Sequence, residues 1–228
     1  MEKKAINITD GVWNVAPGMS AAYLVVGKDR ALLVDTGTGE TNILETIREI
    51  TDLPIVLVAT HHHGDHLGGA GYFDRLYAHP KDIELMEDIK TYTIPVEEGE
   101  LFDLGGRIFE VIWIPGHTPG SIALIDRQNK LIFTGDAISD GPVFMIKGDS
   151  DPDDYIKSLD KLLSMSGNID MILGCHGRNV QDIDMVKKLK HAAVDFKAGK
   201  IKSVHQTEPM KADLYIHENS AGFISPIR

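Results

Sequence analysis

Cysteine is almost absent from this 228-residue chain: Cys175 stands alone. No internal disulfide can form, which suits a reducing compartment. Basic residues are also scarce. Lys and Arg number 23 against 34 Asp and Glu, a formal net charge of -11. That is the wrong sign for a chain that neutralises phosphates, so nucleic acid is not an expected partner. No apolar run approaches the roughly 20 residues that span a bilayer, and Met1-Glu2-Lys3-Lys4 leads into no apolar stretch of the secretory type. The expected setting is therefore the cytoplasm, with no membrane partner. A hydrophobic content of 43% and a charged content of 25% are those of a globular protein, and the length suits one α/β domain over residues 1–228.

What the chain does have is a dense polar cluster at the end of an apolar run. Val56-Leu57-Val58-Ala59 reads as a buried strand, and Thr60-His61-His62-His63-Gly64-Asp65-His66 follows directly. Extended geometry alternates side chains, so His61 and His63 share one face while His62 turns to the other. Gly64 then lets the backbone turn, and Asp65 with His66 offers an oxygen and a nitrogen to a second point nearby. Ligand-type residues this crowded are costly to hold together unless a cation relieves them. Imidazole and carboxylate suit zinc, iron or manganese.

Three more candidates stand where other apolar runs stop. Phe109 to Ile114 leads into Pro115-Gly116-His117-Thr118-Pro119-Gly120-Ser121; Lys130 to Thr134 into Gly135-Asp136; and Asp170 to Leu173 into Gly174-Cys175-His176-Gly177. His117, Asp136 and His176 thus lie at glycine-flanked strand-to-loop junctions, where a site on one edge of a sheet draws its residues.

Together with Leu32-Leu33-Val34-Asp35-Thr36-Gly37, these motifs appear in an order that resembles the metallo-β-lactamase fold superfamily. The resemblance implies an α+β fold: a four-layer αββα sandwich of two mixed sheets with helices outside. It implies two divalent cations, with zinc favoured and iron or manganese as alternatives. One would sit on His61, His63 and His117, the other on Asp65, His66 and His176, with Asp136 bridging. Asp35 would steady the histidine loop from behind. In the same terms, Asp65 and Asp136 are the catalytic residues: a hydroxide shared by the metals attacks a small ester, thioester, lactone or amide, and Asp65 orients it and shuttles a proton. His66 after Asp65 is similar to glyoxalase II and lactonases and unlike β-lactamases that carry Arg there. Two other readings stand beside this one: a persulfide dioxygenase with a single iron, and a metal-binding module without catalysis. The expected partner is a small-molecule substrate, and homo-oligomerisation is left open.

Along the rest of the chain, Ile6 to Ile8 and Val12 to Val15 read as a hairpin about Asp10-Gly11. Ala21 to Val26 and Ala31 to Val34 form a further strand pair. Helices are expected over 41–50, over 67–72, from Pro80 towards Lys90, over 151–165 and over 182–197. Thr91 to Gly99 reads as a loop in which Tyr92 faces substrate. Ala137 to Ser150 is either a mobile wall over the site or a buried edge segment. Trp13 and Met19 are expected to pack in the core or in a turn, with a pocket role as the lesser alternative, and Cys175 to pack behind the site. His79, His191, His205 and His217 lie off every motif and are expected to have no metal role. A closing strand pair is expected at 212–216 and 222–227.

Overall fold

The alternation of side chains along the strands sorts the apolar residues into layers, and this sorting builds the fold. The computed structural model describes residues 4–86, 89, 92–218 and 221–226. The first half of the chain supplies β1 (Ile6–Thr9), β2 (Val12–Asn14), β3 (Tyr23–Val26), β4 (Ala31–Val34), α1 (Ile43–Arg48), β5 (Ile55–Val58), α2 (Gly64–Leu67), β6 (Leu76–Ala78), α3 (Pro80–Ile83) and β7 (Thr93–Pro95). The second half supplies β8 (Leu101–Asp103), β9 (Ile108–Trp113), β10 (Ile122–Asp126), β11 (Leu131–Gly135), β12 (Val143–Phe144) and α4 (Pro152–Ser164). It continues with β13 (Met171–Gly174), β14 (Val180–Gln181), α5 (Ile183–Lys197), β15 (Ser203–Gln206), β16 (Ala212–Ile216) and β17 (Gly222–Pro226).

Strands β1 to β7 lie in sequence order in one sheet, and a second sheet runs β14-β13-β11-β10-β9-β8. Between the sheets, Tyr23, Val25, Leu32, Val34 and Val58 meet Phe109, Val111, Ile122, Leu124 and Phe133. The alternate residues of the first sheet, Leu24, Leu33 and Leu57, pack with Ile43 and Ile47 of α1. Those of the second, Ile112, Ile125, Ile132 and Ile172, pack with α4 and α5 through Leu159, Leu162, Val186 and Leu189. This is the expected four-layer order.

The long helices start as their sequences dictate. Asp151 accepts from Asp153 N and Asp154 N ahead of Pro152, and Asp182 does the same for α5. Elsewhere tertiary contacts override local pattern. Residues 93–95, expected in a loop, form β7, paired in parallel with β6, and Tyr92 packs against the helix-side core of the first sheet instead of facing a substrate. The helix expected over 67–72 is the single turn α2 followed by a 3-10 turn over Ala70–Tyr72. Likewise α3 spans only four residues; the end of its expected range at 87–88 and 90, like Thr91 and Ile227, lies outside the described residues. A third sheet, β12-β17-β16-β15, joins the closing strand pair to residues 143–144. With Val143 and Met145 buried and Val143–Phe144 paired with β17, the apolar group at 142–146 packs as an edge segment.

Strand direction places the site. β4 and β5 run parallel, as do β11 and β13, and β9 shares the direction of β11 because both pair antiparallel with β10. The C-terminal ends of β4 and β5 therefore lie together at one edge of the first sheet, and those of β9, β11 and β13 at one edge of the second. At this rim Ile122 N donates to Thr60 O at 2.9 Å, and Tyr23 Oη to Gly174 O at 2.5 Å. These bonds pin the two edges to each other.

Phe133 is fully buried between the sheets, with its ring 5.2 Å from Tyr23 and 5.8 Å from Phe109. Phe133→Ala should lower unfolding free energy in urea titrations by about 3–5 kcal/mol. A loss below about 1 kcal/mol would contradict the inter-sheet core described above.

Candidate metal centre

Five loops meet at the rim, and backbone geometry aims each one. Asp35, at the end of β4, takes a left-handed conformation with φ 61°, which Asp tolerates better than most residues. Its Oδ1 accepts from Thr60 N at 2.7 Å, and its Oδ2 from Thr60 Oγ1 at 2.8 Å and His66 Nδ1 at 2.9 Å. One buried carboxylate thereby sets both ends of the histidine loop. In the His117 loop, Gly116 has φ 132°, and a Cβ there would lie 2.3 Å from Tyr155 backbone atoms. Glycine is required at that position.

The side chains expected at the site are brought together in two adjoining groups. In the first, His61 Nε2 lies 3.1 Å from His63 Nδ1, and His117 Nε2 lies 3.3 Å from the former and 3.1 Å from the latter. In the second, Asp65 Oδ2 lies 3.7 Å from His66 Nε2 and 3.3 Å from His176 Nε2. Asp136 stands between them. Its Oδ2 is 3.9 Å from His61, 3.6 Å from His117 and 3.1 Å from His176, while its Oδ1 is 3.1 Å from His66.

The outward ring nitrogens explain why the inward ones face each other. His117 Nδ1 donates to Phe144 O at 2.9 Å and His176 Nδ1 to Met19 O at 2.5 Å. His66 Nδ1 donates to Asp35, and His63 Nε2 to Asp149 Oδ2 at 3.0 Å. Carbonyls and carboxylates only accept, so each of these rings holds its proton outward. Thr60 Oγ1 gives its own proton to Asp35 and so accepts from His61 Nδ1, at 3.0 Å. In the neutral form all five rings turn a lone pair inward.

The electrostatics divide along the same line. Burial holds His61 well below the usual imidazole range and pushes His117 down to about 4, so both stay neutral. Burial opposes charge on His66 and His176 too, but Asp136 outweighs it, helped by Asp35 for the former and Asp65 for the latter. His66 is raised well above its ordinary value and His176 to about 10. Asp136 in turn is held far below the carboxylate range: burial would raise it, and His66, together with His176 and His61, overrides that. Protons and cations compete for this space. Asp136 Oδ1 is buried without a well-aligned hydrogen bond, a deficit that a cation relieves. Two facing clusters of nitrogen and carboxylate donors, with no thiolate turned inward, therefore fit divalent metals of the zinc, iron or manganese kind. Cys175 packs behind, its Sγ 3.5 Å from Asp35, with burial pushing the thiol's pKa up.

Sequence reading misses three supporting residues. Thr60 relays Asp35 to His61. Asp149, in the 137–150 segment, backs His63. Asp82, fully buried in α3, accepts from His62 N at 2.9 Å, Thr118 Oγ1 at 2.8 Å and Gly120 N at 2.6 Å, and contacts His62 Nδ1 at 3.2 Å. His62 does turn away from the inward nitrogens, as expected, but it does so to join the His61–His63 loop to the His117 loop through Asp82. Trp13 packs on the helix side of the first sheet. Met19 is 70% exposed and contributes its carbonyl. His79 caps α3 and stacks on Trp113, while His205 and His217 pair with Asp213 and Asp195.

This rim of imidazoles and carboxylates on an αββα sandwich defines a class. The sequence profile of the Metallo-beta-lactamase superfamily matches residues 15–176, and the chain belongs to that superfamily. Within it, the chain is 27% identical to an acyl-coenzyme A thioesterase MBLAC2 of Gallus gallus over 196 residues, covering 68% of this chain and 71% of the relative. It is 32% identical over 173 residues to hydroxyacylglutathione hydrolase GloC of Haemophilus influenzae, covering 64% and 80%. Among solved structures, a metallo-beta-lactamase from Pontibacter korlensis shares the fold with a TM-score of 0.72 at 21% identity, over 84% of this chain and 99% of that one. TTHA1623 in a di-iron-bound form superposes with a TM-score of 0.63 at 28% identity, over 76% and 94%.

Asp82→Ala should cost at least about 2 kcal/mol of stability, because it leaves several buried donors without an acceptor. Urea unfolding measures this, and an unchanged midpoint would mean that Asp82 does not tie the loops together.

Proposed function

We propose that the chain is a dinuclear metal-dependent hydrolase acting on a thioester. The observation that carries this reading is the pair of adjoining donor clusters, each complete, with the buried Asp136 between them. His61, His63 and His117 would hold one cation and Asp65, His66 and His176 the other, with an Asp136 oxygen for each. Zinc is favoured, with iron and manganese as alternatives. Bound there, two divalent cations polarise an acyl carbonyl and lower the pKa of water towards neutrality.

The chain's own groups do the rest. Asp65 is about one-third exposed and remains ionised: burial would raise its pKa, but the His176 hydrogen bond together with the charges on His66 and His176 outweighs that and lowers it. It is placed to accept a proton from an attacking water and to pass it to solvent. Asp136 fixes the separation of the two clusters, and Asp35 holds His61 and His66 in the orientation both need. The names of the relatives, acyl-coenzyme A thioesterase and hydroxyacylglutathione hydrolase, support a sulfur ester over the lactone and amide alternatives. The acidic composition supports a small-molecule substrate over nucleic acid. No described helix is long and apolar enough to cross a membrane, and we infer a reducing cytoplasm from the lone buried thiol.

Metal-loaded protein should hydrolyse acyl-coenzyme A or hydroxyacylglutathione in preference to lactones, β-lactams and phosphodiesters. Chelation should abolish turnover and added zinc restore it. Asp136→Ala should lose more than about 100-fold, beyond the usual effect of disturbing a mere ligand partner. Turnover that survives complete metal removal, or one iron per chain with oxygen consumption on a persulfide, would overturn the proposal.

A further inference from the structure

Each donor cluster contains one imidazole whose outward nitrogen is backed by a carboxylate, while the outward nitrogens of the remaining rings rest on hydroxyl or carbonyl oxygens. In the second cluster that ring is His66, held by Asp35 at 2.9 Å. In the first it is His63, whose Nε2 lies 3.0 Å from Asp149 Oδ2. The outward nitrogens of His61 and His117 in that cluster meet the Thr60 hydroxyl and the Phe144 carbonyl.

Asp149 is not a stray surface charge. Its Oδ1 is buried with no hydrogen-bond partner among the described residues, an arrangement whose persistence calls for a reason. The turn that presents it is closed by Asp149 N donating to Ile146 O at 3.0 Å, and it is tied to the His117 loop: Ser150 Oγ donates to His117 O at 2.6 Å and Asp151 N to Gly116 O at 2.9 Å. On its other side, His62 Nε2 lies 3.6 Å from Asp149 Oδ2, and that ring is held through its Nδ1 by Asp82 at 3.2 Å. The carboxylate is therefore fixed from two directions. Phe144 and Asp149 belong to one short segment, so the strap over 144–149 orients two of the three imidazoles of the first cluster, while the outward nitrogens of His66 and His176 are held by Asp35 and Met19 O, outside it.

We infer that Asp149 is the positioning residue of the first metal site: by accepting the Nε2 proton of His63 it presents Nδ1 as the ligand atom and raises that atom's basicity, selectively for the His61–His63–His117 cation. This rests on the two-metal reading above. A carboxylate behind a ligating imidazole strengthens metal binding by about 10–100-fold, so the selectivity is measurable.

The test compares the full-length wild-type protein with Asp149→Ala and Asp149→Asn. Zinc affinity is read by competition with a chromophoric chelator, and hyperfine-shifted imidazole N–H signals are read by NMR after cobalt(II) loading. Asp149→Ala should weaken one of two sites about 10–100-fold, leave the other at its wild-type affinity and lose one exchange-protected N–H signal. Asp149→Asn keeps an acceptor oxygen but not the carboxylate, and should restore the protected N–H signal while recovering only part of the affinity. Equal affinities in wild type and Asp149→Ala, or equal weakening of both sites with the folded state intact, would overturn the inference while leaving the two-metal reading standing. Should Asp149→Ala fail to fold, the wild-type cobalt protein decides: a His63 Nε2–H that exchanges as fast as a solvent-exposed imidazole overturns it, and a protected one supports it. A wild-type protein that binds no metal would overturn both.

Discussion

Five imidazoles turned inward on each other form the constraint on which the rest of this structure depends. Lone pairs about 3 Å apart repel, and burying them forfeits hydration. Two things hold them in place. Every outward nitrogen has a dedicated acceptor, Thr60, Asp149, Asp35, Phe144 O or Met19 O, and Asp136 supplies compensating negative charge. The arrangement makes physical sense as a cradle for positive charge, whether that charge is carried by protons on His66 and His176 or by cations.

The scaffold's contribution is rigidity at a chosen edge. Loops leave the ends of β4, β5, β9, β11 and β13 after strands whose last residues are mostly buried, so little freedom remains by the time a ligand residue is reached. The loops are then tied to one another: Asp35 links β4 to the histidine loop, Asp82 links that loop to Thr118 and Gly120 beside His117, and the 144–149 strap returns to both His63 and His117. Such mutual bracing keeps first-contact geometry within the tolerance that metal sites need. It also makes the outer residues as much a part of the site as the ligands.

The sequence made the ligands legible because their chemistry is concentrated: His61, His63, Asp65 and His66 are close in sequence, and His117, Asp136 and His176 each follow an apolar run and a glycine. The four layers were legible through the same motifs, whose order resembles that of the superfamily. The supports were hidden. Asp82 and Asp149 look like ordinary solvated acids in the sequence, since nothing local indicates that the chain will fold them against His62 and His63. Residues 93–95 and 143–144 become strands only because β6 and β17 offer them an edge, a non-local cause to which local pattern is blind. The apolar group at 142–146 illustrates the point: its composition suited a wall or a core equally, and its pairing with β17 has a non-local cause.

Anomalous diffraction from crystals of the zinc-loaded chain tests the central claim most directly. Two peaks per chain are expected, about 3.5–4 Å apart, one within bonding distance of His61 Nε2, His63 Nδ1 and His117 Nε2, the other against Asp65, His66 and His176, with Asp136 reaching both. A single peak, or peaks away from these nitrogens, would contradict it.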